Sequence, residues 1–177
     1  MEIKAGCRYD LDTMKAFIHV SLFRGKDPAK RLCFHTVVYG LLLAVIILEC
    51  ILLGPDPMLY LLAGCGLLVL FLLYFGYYVA PKRSYRSMSG LKDAENAYVF
   101  YADKMSVESK GEAYSGNSEI AYPVLVKVYE TSAYFFVYQT KNQAFIVDKR
   151  TIVNGTAEEI RARLMTHVGK KYHICKY

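Results

Sequence analysis

Residues 52–60 read LLGPDPMLY: two prolines, a glycine and an aspartate in the middle of the most apolar part of the chain. The stretch is either a surface turn of a soluble protein or the tip of a hairpin that crosses a membrane, and its flanks decide between the two. Residues 35–53, HTVVYGLLLAVIILECILL, carry one formal charge, Glu49, and residues 58–80, MLYLLAGCGLLVLFLLYFGYYVA, carry none. A bilayer-spanning helix needs about 20 mostly apolar residues, and both runs meet that length. Neither shows the polar stripe at helical spacing that a buried soluble helix would carry. Neither reads as a signal peptide, since the first begins more than thirty residues into the chain and no small-residue cleavage site follows it. The turn is therefore expected to lie outside a membrane, with Gly54 ending the first helix and Pro57 in the first turn of the second.

Basic residues set the expected orientation. Lys26, Lys30 and Arg31 precede the first span, Lys82, Arg83 and Arg86 follow the second, and the connecting loop has no Lys or Arg. Positive charge stays on the cytoplasmic side, so both termini are expected in the cytoplasm and Asp56 outside. Tyr74, Tyr77 and Tyr78 cluster at the inner end as an interfacial belt, and Tyr60 is placed for the outer one.

The chain has 177 residues and a formal net charge of +6. With roughly 45 residues in the hairpin, one modest soluble domain remains. The excess positive charge is explained by the topology rule and by anionic lipid beside the spans, and no nucleic-acid-binding pattern accompanies it. The five cysteines lie scattered with no CxxC, as reduced thiols of a cytoplasm do. His173 and Cys175 lie close together but are two potential ligands where a zinc site needs three or four.

These observations divide the chain into four parts: an N-terminal strand and amphipathic helix (1–27), the hairpin (28–80), a polar linker (81–96) and a cytoplasmic domain (97–177). Residues 2–9 read as a strand. Asp12 is positioned to cap a helix with Met14, Phe17, Ile18 and Leu22 on one face, and Gly25 to end it. That helix either lies on the membrane surface or packs on the soluble domain. Asp27-Pro28 is a fresh N-cap and first-turn pair. In the domain, Met105, Val107 and Ser109 alternate with polar residues, residues 118–122 form a further strand, and residues 126–149 form three more, joined near Thr131-Ser132 and Lys141-Asn142. Both faces around Tyr134 are apolar or aromatic, so that strand is expected to be covered on both sides. Thr156 and Glu159 form a capping box, Ile160, Leu164 and Val168 an apolar stripe, and Gly169 a stop, which gives a terminal helix over about 157–168.

A membrane hairpin, a linker, short strands and one terminal helix, in this order, resemble the bacterial YcxB-like proteins. The stretches that carry the resemblance are YVFYADKM, IAYPVLVKVYET, AYFFVYQT and AFIVDKRTI, which cover most of residues 97–168. Tyr122 stands where that family usually has tryptophan, and Asp148 where it usually has proline. The resemblance implies two membrane spans and a pleckstrin-homology-like (PH-like) cytoplasmic domain, and no settled activity. The expected fold is thus α+β: a transmembrane helical hairpin plus a small antiparallel PH-like barrel or sandwich closed by the terminal helix.

The sequence contains no phosphate-binding glycine loop, no HExxH and no nucleophile elbow. Its histidines fall in separate segments, and Glu158-Glu159 is explained by helix capping. A non-enzymatic protein without cofactor or metal is expected, sited in the bacterial cytoplasmic membrane. Its expected function is a membrane-tethered recognition or adaptor module, partnered by the bilayer and by a protein or anionic lipid at the inner leaflet. The alternatives are a subunit or regulator of a larger complex that assembles through the hairpin, and an enzyme of unrecognised type. Two features are singled out as sites. Glu49 is an ionisable residue within a span, expected to turn toward the second helix near residues 63–66 or toward the outer headgroups. Lys149 and Arg150 point to opposite faces of a strand end. Arg150 is expected to reach strand-end carbonyls or a carboxylate such as Glu130, with Lys149 solvated, and the competing reading is an anion site for a lipid headgroup or an acidic partner.

Overall fold

The computed structural model describes residues 2–23, 26–54, 56–87, 94–111 and 115–175. The stop expected at Gly25 and residues 88–93 of the linker lie outside them. Strand β1 (Ile3–Arg8) leads into helix α1 (Leu11–Phe23), followed by α2 (Pro28–Leu53) and α3 (Pro57–Tyr74). A π-helical turn, Phe75–Val79, connects α3 to α4 (Ala80–Ser87). Strands β2 (Glu95–Phe100), β3 (Lys104–Lys110), β4 (Ser115–Ala121), β5 (Lys127–Glu130), β6 (Tyr134–Tyr138) and β7 (Ala144–Val153) come next. Helix α5 (Ala157–Val168) and strand β8 (Tyr172–Ile174) end the described chain. The expected linker is therefore helical in its first part, because α3 continues through the π turn into α4.

Local signals account for the helix ends. Asp27 Oδ1 accepts from the amides of Ala29 and Lys30, and Asp56 Oδ1 from that of Met58, with Pro28 and Pro57 in the first turns. Gly54, at φ 93°, closes α2 in a conformation that suits glycine. In α5 the capping box is complete: Thr156 Oγ1 accepts from the Glu159 amide and Glu159 Oε2 from the Thr156 amide. The cap of α1 is Asp10, whose Oδ1 accepts from the Thr13 amide at 2.8 Å, and not Asp12, which lies exposed in the first turn.

The helices α2 and α3 are long and apolar enough to cross a membrane. They pack together, and their less exposed positions form a narrow seam of Leu32, Thr36, Tyr39, Leu43, Ile46 and Cys50 on one helix and Ala63, Gly66, Leu70 and Leu73 on the other, spaced by three and four residues. Thr36 Oγ1 lies 3.2 Å from the Tyr74 hydroxyl, and the Tyr39 ring packs over Gly66. Elsewhere these helices face outward, with 6% of the most apolar window of each buried.

The eight strands form one mixed sheet in the order β4-β3-β2-β1-β7-β6-β5-β8. Every pairing is antiparallel except β5 with β8. This corrects the expected antiparallel barrel or sandwich: the strands form a single mixed sheet that is open, with β4 and β8 at its edges. It also corrects the division at residue 27, since β1, from before the hairpin, sits in the middle of the sheet between β2 and β7.

The open sheet is nevertheless curled. Residues 122–126 join β4 to β5, which lie six neighbour spacings apart in the sheet. Six such spacings in a flat sheet come to about 29 Å, whereas this link reaches at most about 20 Å when fully extended. The edges must therefore swing toward each other. The inside of the curl holds Ile3, Tyr98, Phe100, Met105, Val107, Val128, Phe135 and Val147. Ile160 and Leu164 of α5 are fully buried against this core, and Arg163 NH1 donates to the carbonyls of Phe100 and Tyr101. Strand β6 is buried at every position, as its two apolar faces require.

Candidate functional site

Two arrangements of side chains stand out, one where the hairpin meets the sheet and one around Glu130. At the first, α1 works with two faces. Val20 is fully buried in the core, and the Phe17 ring lies 6.3 Å from those of Phe136 and Tyr138 on β6. Ser21 Oγ is 3.1 Å from the Tyr138 hydroxyl. On the other side, His19 stacks on Tyr77 at 4.5 Å and Phe23 packs on its edge. His19 Nε2 lies 3.1 Å from the Tyr77 carbonyl, which can accept only, so Nε2 carries the proton and donates. The π turn is where this carbonyl leaves the regular ladder, a common setting for such turns. A methyl on Gly76 would meet Leu22 Cδ1 at 3.1 Å, so glycine permits the close approach. Burial pushes the His19 imidazole below its ordinary value, and Lys15 adds to this against the Tyr77 bond. Of the two settings expected for α1, the structure shows packing on the sheet and, in addition, on the base of the hairpin. Its partners at that base are backbone and aromatic groups that no local pattern in residues 11–23 announces.

Glu130 ends β5 on the core-facing side and is 1% exposed. Four donors surround it. Lys149 Nζ reaches Oε1 at 2.6 Å, Arg161 reaches Oε1 at 2.6 Å and Oε2 at 2.8 Å, and the Tyr172 hydroxyl reaches Oε2 at 2.5 Å. Burial alone would push the Glu130 carboxyl up. The bonds from Arg161, Lys149 and Tyr172 outweigh it and bring the value down to about 2. One carboxylate thereby ties together β5, β7, α5 and β8. The alternation Val128-x-Glu130 was the available signal, since it places a charge on the same strand face as a core valine and demands a partner.

The structure reverses the expected roles of Lys149 and Arg150. Lys149 is the inward residue, with a side chain 14% exposed that also donates to the Thr131 carbonyl and lies over the Phe135 ring. Arg150 is the outward one, 71% exposed, and grips Asp148 through Nε and NH2 while lying over Tyr134. Strand register explains the exchange. Phe135 pairs with both Glu130 and Val147, and Lys149, two residues beyond Val147, shares their face. Burial pushes the Asp148 carboxyl up, but the side-chain and backbone bonds of Arg150 hold it below its ordinary range.

Glu49 is exposed, beside the seam residue Cys50, and does not turn into the second helix. Counting thirteen residues along each helix from Thr36 and Tyr74 puts it level with Leu61 and nearer the tip than residues 63–66. Among the described residues, no three of His, Cys, Asp and Glu gather as a metal site would require.

Residues 100–164 match a protein-family model described as YcxB-like protein. The comparisons with curated proteins and with solved structures find no match. The matched region runs from the end of β2 to the middle of α5 and leaves out β1, α1 and the hairpin.

Proposed function

We propose, from the match of residues 100–164 to the YcxB-like family model, that this chain is a YcxB-like protein that acts as a membrane-tethered recognition module. The hairpin inserts in the cytoplasmic membrane of a bacterium and holds a PH-like sheet domain at the inner leaflet, with both termini in the cytoplasm. There the domain binds a protein or an anionic lipid and performs no chemistry of its own. The observation that carries the reading is the double role of α1: Phe17, Val20 and Ser21 engage the sheet while His19 and Phe23 engage Tyr77 at the hairpin base. A module joined to its anchor through a packed helix is held at a set position, which a flexible linker would not do. The curled sheet with a helix over one end supports the PH-like reading. Lys26, Lys30, Lys82, Arg83 and Arg86 are exposed around the hairpin base, where they would meet anionic headgroups. Anion recognition at the strand end falls to Arg150 in this reading, since Lys149 is turned inward onto Glu130, whereas the Arg150 side chain, though paired with Asp148, is 71% exposed. Glu49, one turn from the end of α2, is assigned to the outer headgroup region.

A second reading, assembly with another membrane protein through the hairpin, draws on two glycines. A methyl at Gly40 or Gly64 would meet no atom within 4 Å, so small residues face outward where a further helix could pack closely. Site-specific photo-cross-linking in cells separates the two readings. A cross-linker at Asn117 or Arg150 on the sheet gives protein or lipid adducts if the domain is the recognising part. Protein adducts confined to a cross-linker at Leu41 support the hairpin reading, and protein or lipid adducts at none of the three positions would overturn both.

A further inference from the structure

The curl of the sheet has two ends, and α5 covers one of them. At the other end β2 begins, β3 finishes and the β6–β7 turn passes over. A cavity of about 430 Å³ lies there, within the roughly 300–1,000 Å³ of small-molecule sites. Asn96, Ser109, Gln139, Gln143 and Phe145 line it, together with Met14 and Phe17 of α1. None of its lining residues carries a formal charge. A recess lined by aromatic, thioether and amide groups selects against ions, whose desolvation nothing among its lining residues would offset.

Asn96 is 5% exposed. Its Nδ2 donates to the hydroxyls of Tyr9 and Tyr98, at 3.2 and 3.1 Å. Its Oδ1 is buried and accepts no hydrogen bond among the described residues. Reversing the amide would leave the NH2 group in that position instead, so one polar group of Asn96 is without a protein partner in either assignment. A buried polar atom left in this way is costly, and a group that satisfies it gains correspondingly. Asn96 stays at the wall of a neutral cavity where an apolar side chain would fill the space without that cost.

We propose that this end of the sheet is a binding site for a small uncharged molecule, mostly apolar and carrying one hydroxyl or N–H donor. The apolar part lies against Phe17, Met14 and Phe145. The donor goes to Asn96 Oδ1, which a small shift of the cavity wall uncovers. The amides of Gln139 and Gln143 serve any further polar group at the rim. The site is independent of whether the hairpin inserts in a membrane, and of any anion recognition at Arg150.

Fluorine NMR on the full chain in nanodiscs tests this, with 4-fluorophenol as a neutral donor-bearing probe and fluorobenzene as its donorless counterpart. Partition into lipid is subtracted with protein-free nanodiscs. The expected result is saturable binding of 4-fluorophenol, about tenfold tighter than fluorobenzene, as one hydrogen bond to a buried acceptor provides. In Asn96→Leu the preference for the phenol disappears while fluorobenzene still binds. Ser109→Trp, which fills the cavity and leaves Asn96 in place, removes saturable binding of both probes. Signals equal to those of protein-free nanodiscs would overturn the proposal. So would an undiminished phenol preference in Asn96→Leu, which would mean that Asn96 is satisfied by buried water alone. Should Asn96→Leu fail to fold, binding that survives in Ser109→Trp is sufficient to reject the site.

Discussion

In the hairpin the large apolar side chains face outward: Leu41 is 64% exposed, Leu53 85% and Phe71 63%. In the sheet, side chains of the same kind are turned fully inward, with Phe135, Phe136 and Val137 at 0%. The same residue types thus solve opposite problems. The sheet removes its apolar surface from water by curling around it and covering one end with α5. The hairpin helices bury only 6% of their most apolar windows, and in the membrane reading proposed above a surrounding apolar medium takes up the rest. Charge follows the same division. Within the sheet domain a charged group that is buried, Glu130, is met by three side chains, whereas Glu49 on the hairpin stays exposed near the tip. The contrast teaches that burial must be judged against the solvent each part is built for.

The largest effect that would sharpen this comparison comes from removing β1. Deleting residues 2–8 takes a strand from the middle of the sheet and leaves the facing edges of β2 and β7 unpaired. The domain should lose its cooperative denaturant transition while the chain still fractionates with membranes. A normal transition would show that the sheet does not need the segment before the hairpin.

Next in size is the Glu130 cluster. Glu130→Ala leaves Lys149 and Arg161 without their carboxylate and should cost about 3–5 kcal/mol in a denaturant titration of the purified chain. A loss below 1 kcal/mol would mean that the cluster is not formed in solution. Its pH dependence has a definite sign. The folded-state value of Glu130 lies at about 2, below the ordinary 4.5, so the cluster stabilises the fold above about pH 4.5. That stability is lost as pH falls from about 4.5 toward 2, and Asp148, also held low, adds in the same direction. Glu130→Gln should flatten the acid limb of the stability curve, and an unchanged limb would assign acid sensitivity to other groups.

Smaller again is the helix cap. Thr156→Ala should cost about 1 kcal/mol, since the hydroxyl accepts the Glu159 amide. The smallest change is expected of Arg150→Ala, whose side chain is largely exposed, whereas Lys149→Ala should shift the denaturation midpoint well beyond Thr156→Ala. Equal effects of Lys149→Ala and Arg150→Ala would contradict the inward and outward assignment made here.

Much of this architecture is legible in the residues. The hairpin follows from two apolar runs and their proline-led caps, the paired strands from alternation and turn residues, and α5 from its capping box and stripe. What stays hidden depends on pairings distant along the chain. Nothing in residues 3–8 tells that they insert between β2 and β7, because a half-buried strand reads alike at an edge and in the centre. The hidden carbonyl of Tyr77, partner of His19, has no sequence signature. Lys149 and Arg150 are exchanged because which neighbour turns inward depends on register with β6, which follows from packing and not from residue type. For the same reason the cavity around Asn96 is invisible until β2, β3 and the β6–β7 turn are brought together.

The central claim is that the hairpin crosses a membrane and keeps the sheet on the side of the termini. Labelling with a membrane-impermeant maleimide tests it most directly, on intact cells that carry the full chain without its native cysteines and with a single new one. Met58→Cys lies at the hairpin tip and Asn117→Cys on β4, both exposed. The account requires that Met58→Cys be labelled in intact cells and Asn117→Cys only after lysis. Labelling of both before lysis, or of neither until lysis, would contradict it.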